Sequence, residues 1–330
     1  MRRQGTAFPL GSNRGEDVRE PFDPTMAVRE EPKRLVEGVV GSSTERKEHA
    51  TMVARAGHSS LSPALRRTIV GTPFGTAIAP GLTQDVMQTF SAHVSRIRTL
   101  THDVREIELT LRDPGEIHFA PGQFVSFEIE RAGFRVPATR PYSIASSPSG
   151  RHAVQLVLNH VPGGPGSEYL FGLREGDVTT FRGPVGSFTL RDGQRDLLFV
   201  ATGTGIAPIR SMLWSLADAS SLRVVTLYWG LRSERDLYYQ DELARLGERM
   251  PHFSFVTTLS RPVGAWHGAV GRVSPLVESQ IPGVSNLEAF LCGNAAMIRD
   301  VRDILRKKGL CPIHMEQYYD DRASTGSESQ

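Results

Sequence analysis

The sequence predicts two consecutive domains, an antiparallel β-barrel followed by an α/β domain built on a parallel sheet. Short stretches in which apolar and polar residues alternate recur across residues 90–158, separated by Gly and Pro, a pattern typical of half-buried strands in a small barrel. From residue 196 onward, continuous apolar stretches alternate with helical ones, which indicates a parallel sheet with helices on both faces. A chain of 330 residues is long enough to bury a core in each domain.

The barrel is predicted from about residue 88 to residue 190, and its strands are short. The alternating stretches are residues 90–98, 104–111, 123–129, 142–145 and 154–158. Asp113-Pro114-Gly115 predicts a turn, because Pro and Gly favour reversals of the chain. A short helix is predicted at residues 168–173.

The second half is predicted to alternate strictly between strand and helix. The predicted strands are residues 197–201, 223–229, 253–259 and 289–292, and the predicted helices are residues 208–217, 236–246 and 295–308. The apolar strands are continuous rather than alternating, as expected where both faces of a sheet are covered.

Composition excludes several classes of function. The formal net charge is +2, so a broad electrostatic footprint for nucleic acid or anionic lipid is not expected. The sequence has no apolar run of the length that spans a membrane. Cys292 and Cys311 are its only cysteines, too few for a disulfide framework or to ligate an iron–sulfur cluster. No metal site is predicted, and a cytoplasmic location is the simplest expectation.

Residues 1–88 are predicted to be a disordered N-terminal extension. They contain no Tyr or Trp, and Gly, Pro, Ser and Arg recur in them without helical or strand periodicity. Their acidic residues argue against a transit peptide. Two explanations stay open: a genuine disordered tail, or an over-long reading frame whose true start is Met52 or Met87.

The most informative loop is Ala-Thr-Gly-Thr-Gly-Ile-Ala-Pro at residues 201–208, between a predicted strand and a predicted helix. Gly203 and Gly205 allow a sharp turn and close approach to a ligand, and Pro208 suits a first helical turn. The free N–H groups of the helix start favour a pyrophosphate. Alone this motif is weak, because Gly-rich turns between strand and helix are often only structural.

Other motifs accompany the loop in a fixed order. They are Arg-Pro-Tyr-Ser at residues 140–143, Gly-Pro-Gly-Ser at 164–167, Gly-Pro-Val-Gly-Ser-Phe at 183–188 and Cys-Gly-Asn-Ala-Ala-Met at 292–297. This ordered set resembles the ferredoxin–NADP reductase superfamily over about residues 88–319. The resemblance implies a six-stranded FAD-binding barrel at residues 89–191, an NAD(P)-binding α/β domain at 192–319 and a flexible tail at 320–330, without an iron–sulfur domain.

On the FAD side, the resemblance implies that Arg140 contacts the diphosphate, Tyr142 packs on the flavin and Ser143 hydrogen-bonds near flavin N5. A guanidinium suits phosphate and an aromatic face suits a flat heterocycle. The second end of the diphosphate is expected at the helix start formed by Gly164 and Ser167. Structural alternatives stay open for three of these residues. Tyr142 is also compatible with a core aromatic, Ser143 with a hydroxyl on the strand surface, and Ser167 with a helix cap. Further cofactor-binding candidates in this half are Pro141, Val157, Leu158 and Gly166.

In the α/β half, the resemblance implies that Thr204 and Gly205 meet the NAD(P)H pyrophosphate, next to the cofactor-binding candidate Pro208. Cys292 and Gly293 are expected beside the nicotinamide, although Cys292 is equally compatible with a small buried filler. Met297 is a candidate of the same motif, and its place one turn into an apolar helix face favours the core.

The last predicted strand, residues 313–319, resembles a family strand in which an acidic residue and an aromatic lie at the flavin. Glu316 is expected there with Tyr318 or Tyr319, and the choice between the two tyrosines stays open. The catalytic candidates are therefore Tyr142, Ser143, Cys292 and Glu316.

The choice between NADH and NADPH depends on residues that can bind a 2′-phosphate. Ser260 and Arg261 follow the third predicted parallel strand, and Arg232 follows the second. Arg matches phosphate well, but the acidic neighbours of Arg232 also fit an ordinary solvated face. We expect a slight preference for NADPH.

The resemblance implies a reductase that passes hydride from NAD(P)H to FAD and then electrons to an external acceptor. The acceptor class is a ferredoxin, a flavodoxin or an oxygenase component. Reduction of free flavin, or a non-catalytic role as an FAD- or nucleotide-binding adaptor, are the alternatives. The protein then contributes positioning of the two rings and exclusion of water.

Overall fold

A computed structural model describes residues 87–130 and 136–318 of the chain. Apart from its last two residues, the extension predicted at residues 1–88 lies outside the described residues. The same holds for Tyr319 and for the tail predicted at residues 320–330.

The first half forms a six-stranded antiparallel sheet. Its elements are β1 (Gln88–Thr99), β2 (Val104–Asp113), β3 (Phe124–Ile129), β4 (Ala138–Ser143), β5 (Ala153–Asn159), α1 (Pro165–Gly172) and β6 (Val178–Val185). The strand order is β4-β3-β6-β1-β2-β5, and an isolated antiparallel bridge between Ile144 and Leu156 joins the two edges into a barrel. Strand β6 has no counterpart among the predicted stretches, because Gly183 and Pro184 interrupt the alternation of its side chains.

Aromatic residues fill the barrel. The rings of Phe90 and Phe181 stack with centroids 5.4 Å apart, and Phe127 packs against Phe181 at 5.8 Å. All three side chains are fully buried, so the inward positions of β1, β3 and β6 supply the centre of this core.

The second half is a parallel sheet with helices between its strands. Its elements are β7 (Asp196–Thr202), α2 (Ile206–Asp218), β8 (Val225–Leu231), α3 (Gln240–Arg249), β9 (Phe253–Leu259), β10 (Ala269–Val270), α4 (Val273–Gln280), β11 (Leu287–Gly293), α5 (Ala295–Lys308) and β12 (Ile313–Gln317). The strand order is β10-β9-β8-β7-β11-β12, and all pairs are parallel. The order reverses at β7, and ligands of such sheets bind at this reversal, beyond the carboxyl ends of the strands.

Helices cover both faces of this sheet, as predicted. Phe199 packs with the apolar residues of α2 and α3 on one face. Its neighbours Leu198 and Val200 pack with residues of α4 and α5 on the other. The predicted fold class, a barrel followed by a parallel α/β domain, is confirmed, whereas the domain boundaries at residues 89–191 and 192–319 stay predictions.

The helix predicted at residues 236–246 differs from the structure. A 3₁₀ turn spans Glu234–Asp236, where the Ser233 and Asp236 side chains cap each other's backbone. Tyr239 then adopts a left-handed conformation with φ of 58°, and α3 begins only at Gln240. Local capping therefore ends the first turn and separates it from the helix. The short elements β10 and α4 also had no counterpart in the predicted pattern.

No helix among the described residues is long and apolar enough to cross a membrane.

Candidate functional site

The carboxyl ends of three strands from the two halves meet at one place. Ser143 ends β4 of the barrel, Cys292 lies at the end of β11, and Glu316 is in β12. Tyr318 follows β12 directly, and its backbone N–H donates to the Gly293 carbonyl at 3.0 Å. Three of these residues, Ser143, Cys292 and Glu316, are predicted catalytic residues that the structure brings together.

Hydrogen bonds connect the side chains of this cluster. The Tyr318 hydroxyl donates to Ser143 Oγ at 2.8 Å, and Ser143 Oγ donates to Glu316 Oε1 at 2.9 Å. Ser143 and Cys292 are buried, and Tyr318 packs against the core of the α/β half. We name Ser143, Cys292, Glu316 and Tyr318 the junction cluster, because it forms only where the barrel and the parallel sheet meet.

Burial shifts the titrating groups of the junction cluster toward their protonated forms. It raises the pKa of Glu316 above its ordinary value, although the bond from Ser143 lowers it. Burial and the neighbouring Glu316 raise the pKa of the Cys292 thiol well above its ordinary value. The pKa of Tyr318 is raised well above its usual range for the same reasons, burial first. Cys292 is therefore a neutral thiol and not a nucleophile.

The motif at residues 140–143 was predicted at the start of a strand. In the structure it lies at the end of β4 instead. Tyr142 packs edge-on against Phe127 with ring centroids 5.8 Å apart, and burial raises its pKa to about 12 despite the charge of Arg140. Gly166 of α1 lies against both residues, since a Cβ there would overlap the Tyr142 hydroxyl and the Arg140 stem. Arg140 and Tyr142 thus form one partly exposed surface that packs on the buried Gly166.

This surface fits the diphosphate and ring of a flavin nucleotide. The Arg140 guanidinium bonds only to the Thr139 carbonyl among the described residues, and it forms no ion pair there. The α1 helix starts beside it with Gly164 as its N-cap, and no side chain caps its first N–H groups. A guanidinium and open helix N–H groups side by side are the donors that a diphosphate requires.

Other candidates of the barrel have structural contacts as well. The Ser167 hydroxyl accepts from the Val161 N–H at 3.0 Å and can donate to the Val161 carbonyl at 2.8 Å, so it fastens the loop before α1. Val157 and Leu158 are buried in the two cores that flank β5, whereas Pro141 is exposed. The roles of these residues at a cofactor stay predictions.

The loop at residues 202–205 packs closely against the end of β11. Gly203 has a φ of +53° and Gly293 a φ of +129°, conformations that favour glycine. A Cβ on Gly205 would overlap the Cys292 carbonyl, and a Cβ on Gly293 would overlap Thr202. Gly205 and Gly293 are therefore required for the close approach of the two segments that carry Thr204 and Cys292.

Two side chains that the sequence analysis did not select hold this loop. Trp229 Nε1 and the Tyr238 hydroxyl both donate to the Gly203 carbonyl, at 3.0 and 3.1 Å. Thr204 reaches the barrel through a long hydrogen bond of 3.4 Å to Asn159. Of the remaining candidates, Pro208 is buried in α2, and Met297 is buried with the apolar residues of α4 and α5, where its periodicity placed it.

Arginine side chains line a groove beyond the carboxyl ends of β8 and β9. Arg232, Arg235 and Arg261 line a groove of about 570 Å³, and Ser260 lies exposed at its edge. The Glu234 carboxylate accepts from the N–H groups of Val263 and Gly264 at 2.8–3.1 Å. Glu234 therefore fixes the loop that carries Arg261. Its carboxylate binds this loop in addition to any contact with solvent.

Comparisons with known families match the two halves separately. The family model described as an oxidoreductase FAD-binding domain matches residues 91–190, and the one described as an oxidoreductase NAD-binding domain matches residues 199–303. The first match covers most of the barrel, and the second covers most of the parallel sheet.

Individual proteins are similar to about 70% of the chain. The chain is 35% identical over 241 residues to ferredoxin–NADP reductase B of Sorangium cellulosum, covering 70% of this chain and 98% of that protein. It is 31% identical over 233 residues to the reductase component of propane 2-monooxygenase of Rhodococcus jostii, of whose length it spans 61%. The crystal structure of a cytochrome P450 reductase from Amycolatopsis superposes with a TM-score of 0.65 at 28% identity, covering 73% of each chain.

Proposed function

The chain belongs to the ferredoxin–NADP reductase superfamily and is an NAD(P)H-dependent flavoprotein oxidoreductase, and from this premise we propose that reducing equivalents pass from NAD(P)H to FAD at the junction cluster. The observation that carries the proposal is the hydrogen-bonded chain from Tyr318 through Ser143 to Glu316. It lies where the barrel, matched as FAD-binding, meets the sheet, matched as NAD-binding.

Arg140 and the start of α1 would hold the FAD diphosphate, and Tyr142 would pack on the flavin ring. When bound, FAD supplies two-electron acceptance from a nicotinamide and one-electron release to an acceptor. Ser143, which follows Tyr142 at the end of β4, would then lie beside the ring edge.

The junction cluster orients groups and holds a proton. Ser143 Oγ donates to Glu316 and accepts from Tyr318, so its direction is fixed and one lone pair remains for a ligand. The raised pKa of Glu316 favours a proton on its carboxyl group, so Glu316 would hold this proton next to Ser143. Cys292 is buried and Tyr318 is partly buried, so the two residues would limit the access of water on the nicotinamide side.

The loop at residues 203–205 would bind the NAD(P)H pyrophosphate at the start of α2, with Cys292 and Gly293 beside the nicotinamide. Arg232 and Arg261, with Ser260, would bind a 2′-phosphate in the arginine-lined groove, because several cationic forks converge there. NADPH is therefore the proposed donor, with a modest preference over NADH.

The electron acceptor is proposed to be a separate protein, either a small iron–sulfur protein, a flavodoxin or an oxygenase component. Relatives named as reductase components of oxygenase systems support this choice. The two cysteines of this chain are too few to ligate a cluster of the ferredoxin type. The alternatives are the reduction of free flavin and an adaptor role without catalysis.

Reconstitution and acceptor competition test the proposal. Protein stripped of flavin should regain its flavin spectrum with FAD and not with FMN, because FMN lacks the second phosphate and the adenosine. The reconstituted protein should reduce a ferredoxin or flavodoxin faster than free flavin at equal concentration. Preference for FMN, or faster reduction of free flavin, would support the flavin-reductase alternative, and no reduction of any acceptor would support the adaptor.

A further inference from the structure

A buried group of charged and aromatic side chains joins the barrel to the α/β half, away from the predicted ligand contacts. Glu106 comes from β2, Arg210 from α2, Tyr239 from the turn before α3, and Glu242 from α3. Glu106 is 3% exposed and Arg210 6%. We name these four residues the interdomain clamp. Buried charges are costly unless they are paired, so their partners decide what the clamp can do.

Arg210 divides its hydrogen bonds between the two halves. On the α/β side, Nε and Nη2 form a bidentate pair with the Glu242 carboxylate at 2.6 and 2.9 Å. On the barrel side, Nη1 donates to the Ala145 carbonyl and to Gln155 Oε1, both at 2.8 Å. Nη2 also lies 3.8 Å from Glu106 Oε2. The planar fork of one arginine thus fixes α2 against two barrel strands.

Tyr239 adds a second connection between the halves. Its hydroxyl donates to Glu106 Oε2, and its ring lies under the Arg210 guanidinium, 4.7 Å from ring centroid to Cζ. The left-handed φ of 58° at Tyr239 is uncommon for a non-glycine residue. Its packing against Arg210 and Glu106 explains why this conformation is kept.

Charges within the clamp are balanced. Glu106 Oε1 accepts from Arg98 Nη1 at 3.0 Å, so Arg98 and Arg210 face the carboxylates of Glu106 and Glu242. Burial lowers the pKa of Arg210, but the bond to Glu242 and the surrounding negative charges outweigh it and raise the pKa. Arg210 therefore remains charged in the folded protein.

The clamp connects the two segments that carry the proposed reacting groups. Arg210 lies in the second turn of α2, which begins directly after the loop at residues 203–205. Ala145, whose carbonyl Arg210 binds, is two residues beyond Ser143. Tyr238, the neighbour of Tyr239, donates to Gly203 of that loop. A shift at Arg210 is thus transmitted to both the nucleotide loop and the strand end at Ser143.

We propose that Arg210, supported by Tyr239 and Glu106, is a positioning residue that sets the alignment of the bound nicotinamide with the flavin. This inference rests on the proposed function, since it assigns the clamp a role in the same transfer. It goes beyond that function because the side-chain hydrogen bonds of the clamp reach none of the residues proposed to hold the flavin or the nucleotide. Misplacement of reacting groups by about 1 Å can cost about 100-fold in rate, so a clamp of this kind acts on the rate of transfer rather than on nucleotide affinity.

Three variants separate this role from ordinary stabilisation. Arg210→Lys keeps the charge but replaces the fork, so that one ammonium cannot reproduce the bonds to Glu242 and Ala145 together. Tyr239→Phe removes a single hydroxyl and tests the same idea if Arg210→Lys does not fold. Trp214→Phe is the matched control, because Trp214 Nε1 donates to Glu242 Oε1 at 3.1 Å within the α/β half only.

The first readout separates rate from affinity. Flavin reduction is followed in a single turnover over a range of NADPH concentrations. Arg210→Lys should lower the limiting rate by about 100-fold, with a nearly unchanged dissociation constant, and Tyr239→Phe should act in the same direction by less. Trp214→Phe should match the wild type. A limiting rate at the wild-type value in both clamp variants would overturn the proposal, whatever happens to their stability.

The second readout needs no turnover. All three tryptophans, Trp214, Trp229 and Trp266, lie in the α/β half, so tryptophan fluorescence reports that half and flavin release reports the barrel. The two thermal transitions should coincide in the wild type and in Trp214→Phe, and separate in Arg210→Lys. If wild-type flavin is not reduced by either nucleotide, the proposed function fails, while separated transitions still support the clamp. Coincident transitions in every variant would overturn the proposed role of the clamp.

Discussion

Ser143 and Glu316 lie 173 positions apart in the sequence and share a hydrogen bond of 2.9 Å. Ser143 is the last residue of the barrel strand β4, and Glu316 lies in β12, the edge strand of the parallel sheet. This contact exists only when the barrel and the sheet are both folded and docked. The junction cluster is therefore a product of domain association, and its properties are accessible to measurement.

Glu316 should make stability depend on pH. Burial raises the pKa of its carboxyl group above the ordinary 4.5, although the bond from Ser143 lowers it. Between 4.5 and the raised pKa the folded state binds more protons than the unfolded state, so the free energy of unfolding falls as pH rises through this window and is fully retained below it.

Glu316→Gln removes the titrating group, so this fall in stability should disappear. Denaturant unfolding of wild type and variant across the acidic range measures the effect. The same decline with pH in both proteins would show that Glu316 does not titrate as described.

Ser143→Ala should slow flavin reduction without loss of flavin. The substitution removes the donor to Glu316 and the acceptor for Tyr318, whereas Arg140 and α1 remain to hold the diphosphate. We expect a fall in the rate of reduction of about 100-fold, measured under single-turnover conditions. Ser95→Ala is the control, since Ser95 also donates to a carboxylate, that of Glu108, but lies outside the cluster. An unchanged rate in Ser143→Ala would remove Ser143 from the transfer.

Arg261→Ala should discriminate between NADPH and NADH. If Arg261 binds the 2′-phosphate in its groove, the substitution should raise the KM for NADPH and leave that for NADH nearly unchanged. The expected loss is about 1.5–3 kcal/mol, as for a hydrogen bond to a charged group. Arg245→Ala, on the exposed surface of α3, is the control. Equal effects on both nucleotides would make Arg261 structural.

A chain that starts at Met87 should retain the chemistry. Every candidate residue of the site lies at or beyond Arg140, and the first described strand begins at Gln88. Flavin content and the rate of NADPH oxidation with an artificial acceptor should equal those of the full chain. Loss of flavin would mean that residues 1–86 contribute to the barrel. A loss confined to transfer to a protein acceptor would make them a docking element.

Much of this site was predictable because its motifs are local. A few neighbouring residues determine the backbone conformation of each of these segments. They are the Gly-rich loop, the motif at residues 140–143 and the helix at residues 295–308. The alternation of strands and helices indicated the parallel sheet for the same reason. Strand β6 was missed because Gly183 and Pro184 interrupt its pattern.

The clamp was not predictable, because its pairs depend on how the two halves dock. Tyr239 bonds Glu106 across 133 positions, and no periodicity within either segment specifies that pairing. One signal was present: Arg210 interrupts an otherwise apolar helical stretch. A charge at such a position indicates a buried partner without identifying it.

Anaerobic reduction of the bound flavin by NADPH is the decisive test of transfer at the junction cluster. An equimolar amount of NADPH is added to the FAD-loaded protein without any acceptor, and the flavin absorbance is recorded. We predict that the oxidised flavin band bleaches, that NADH acts more weakly, and that added acceptor restores the band. A flavin band that neither nucleotide bleaches would contradict the proposed transfer at the junction of Ser143, Glu316 and Tyr318.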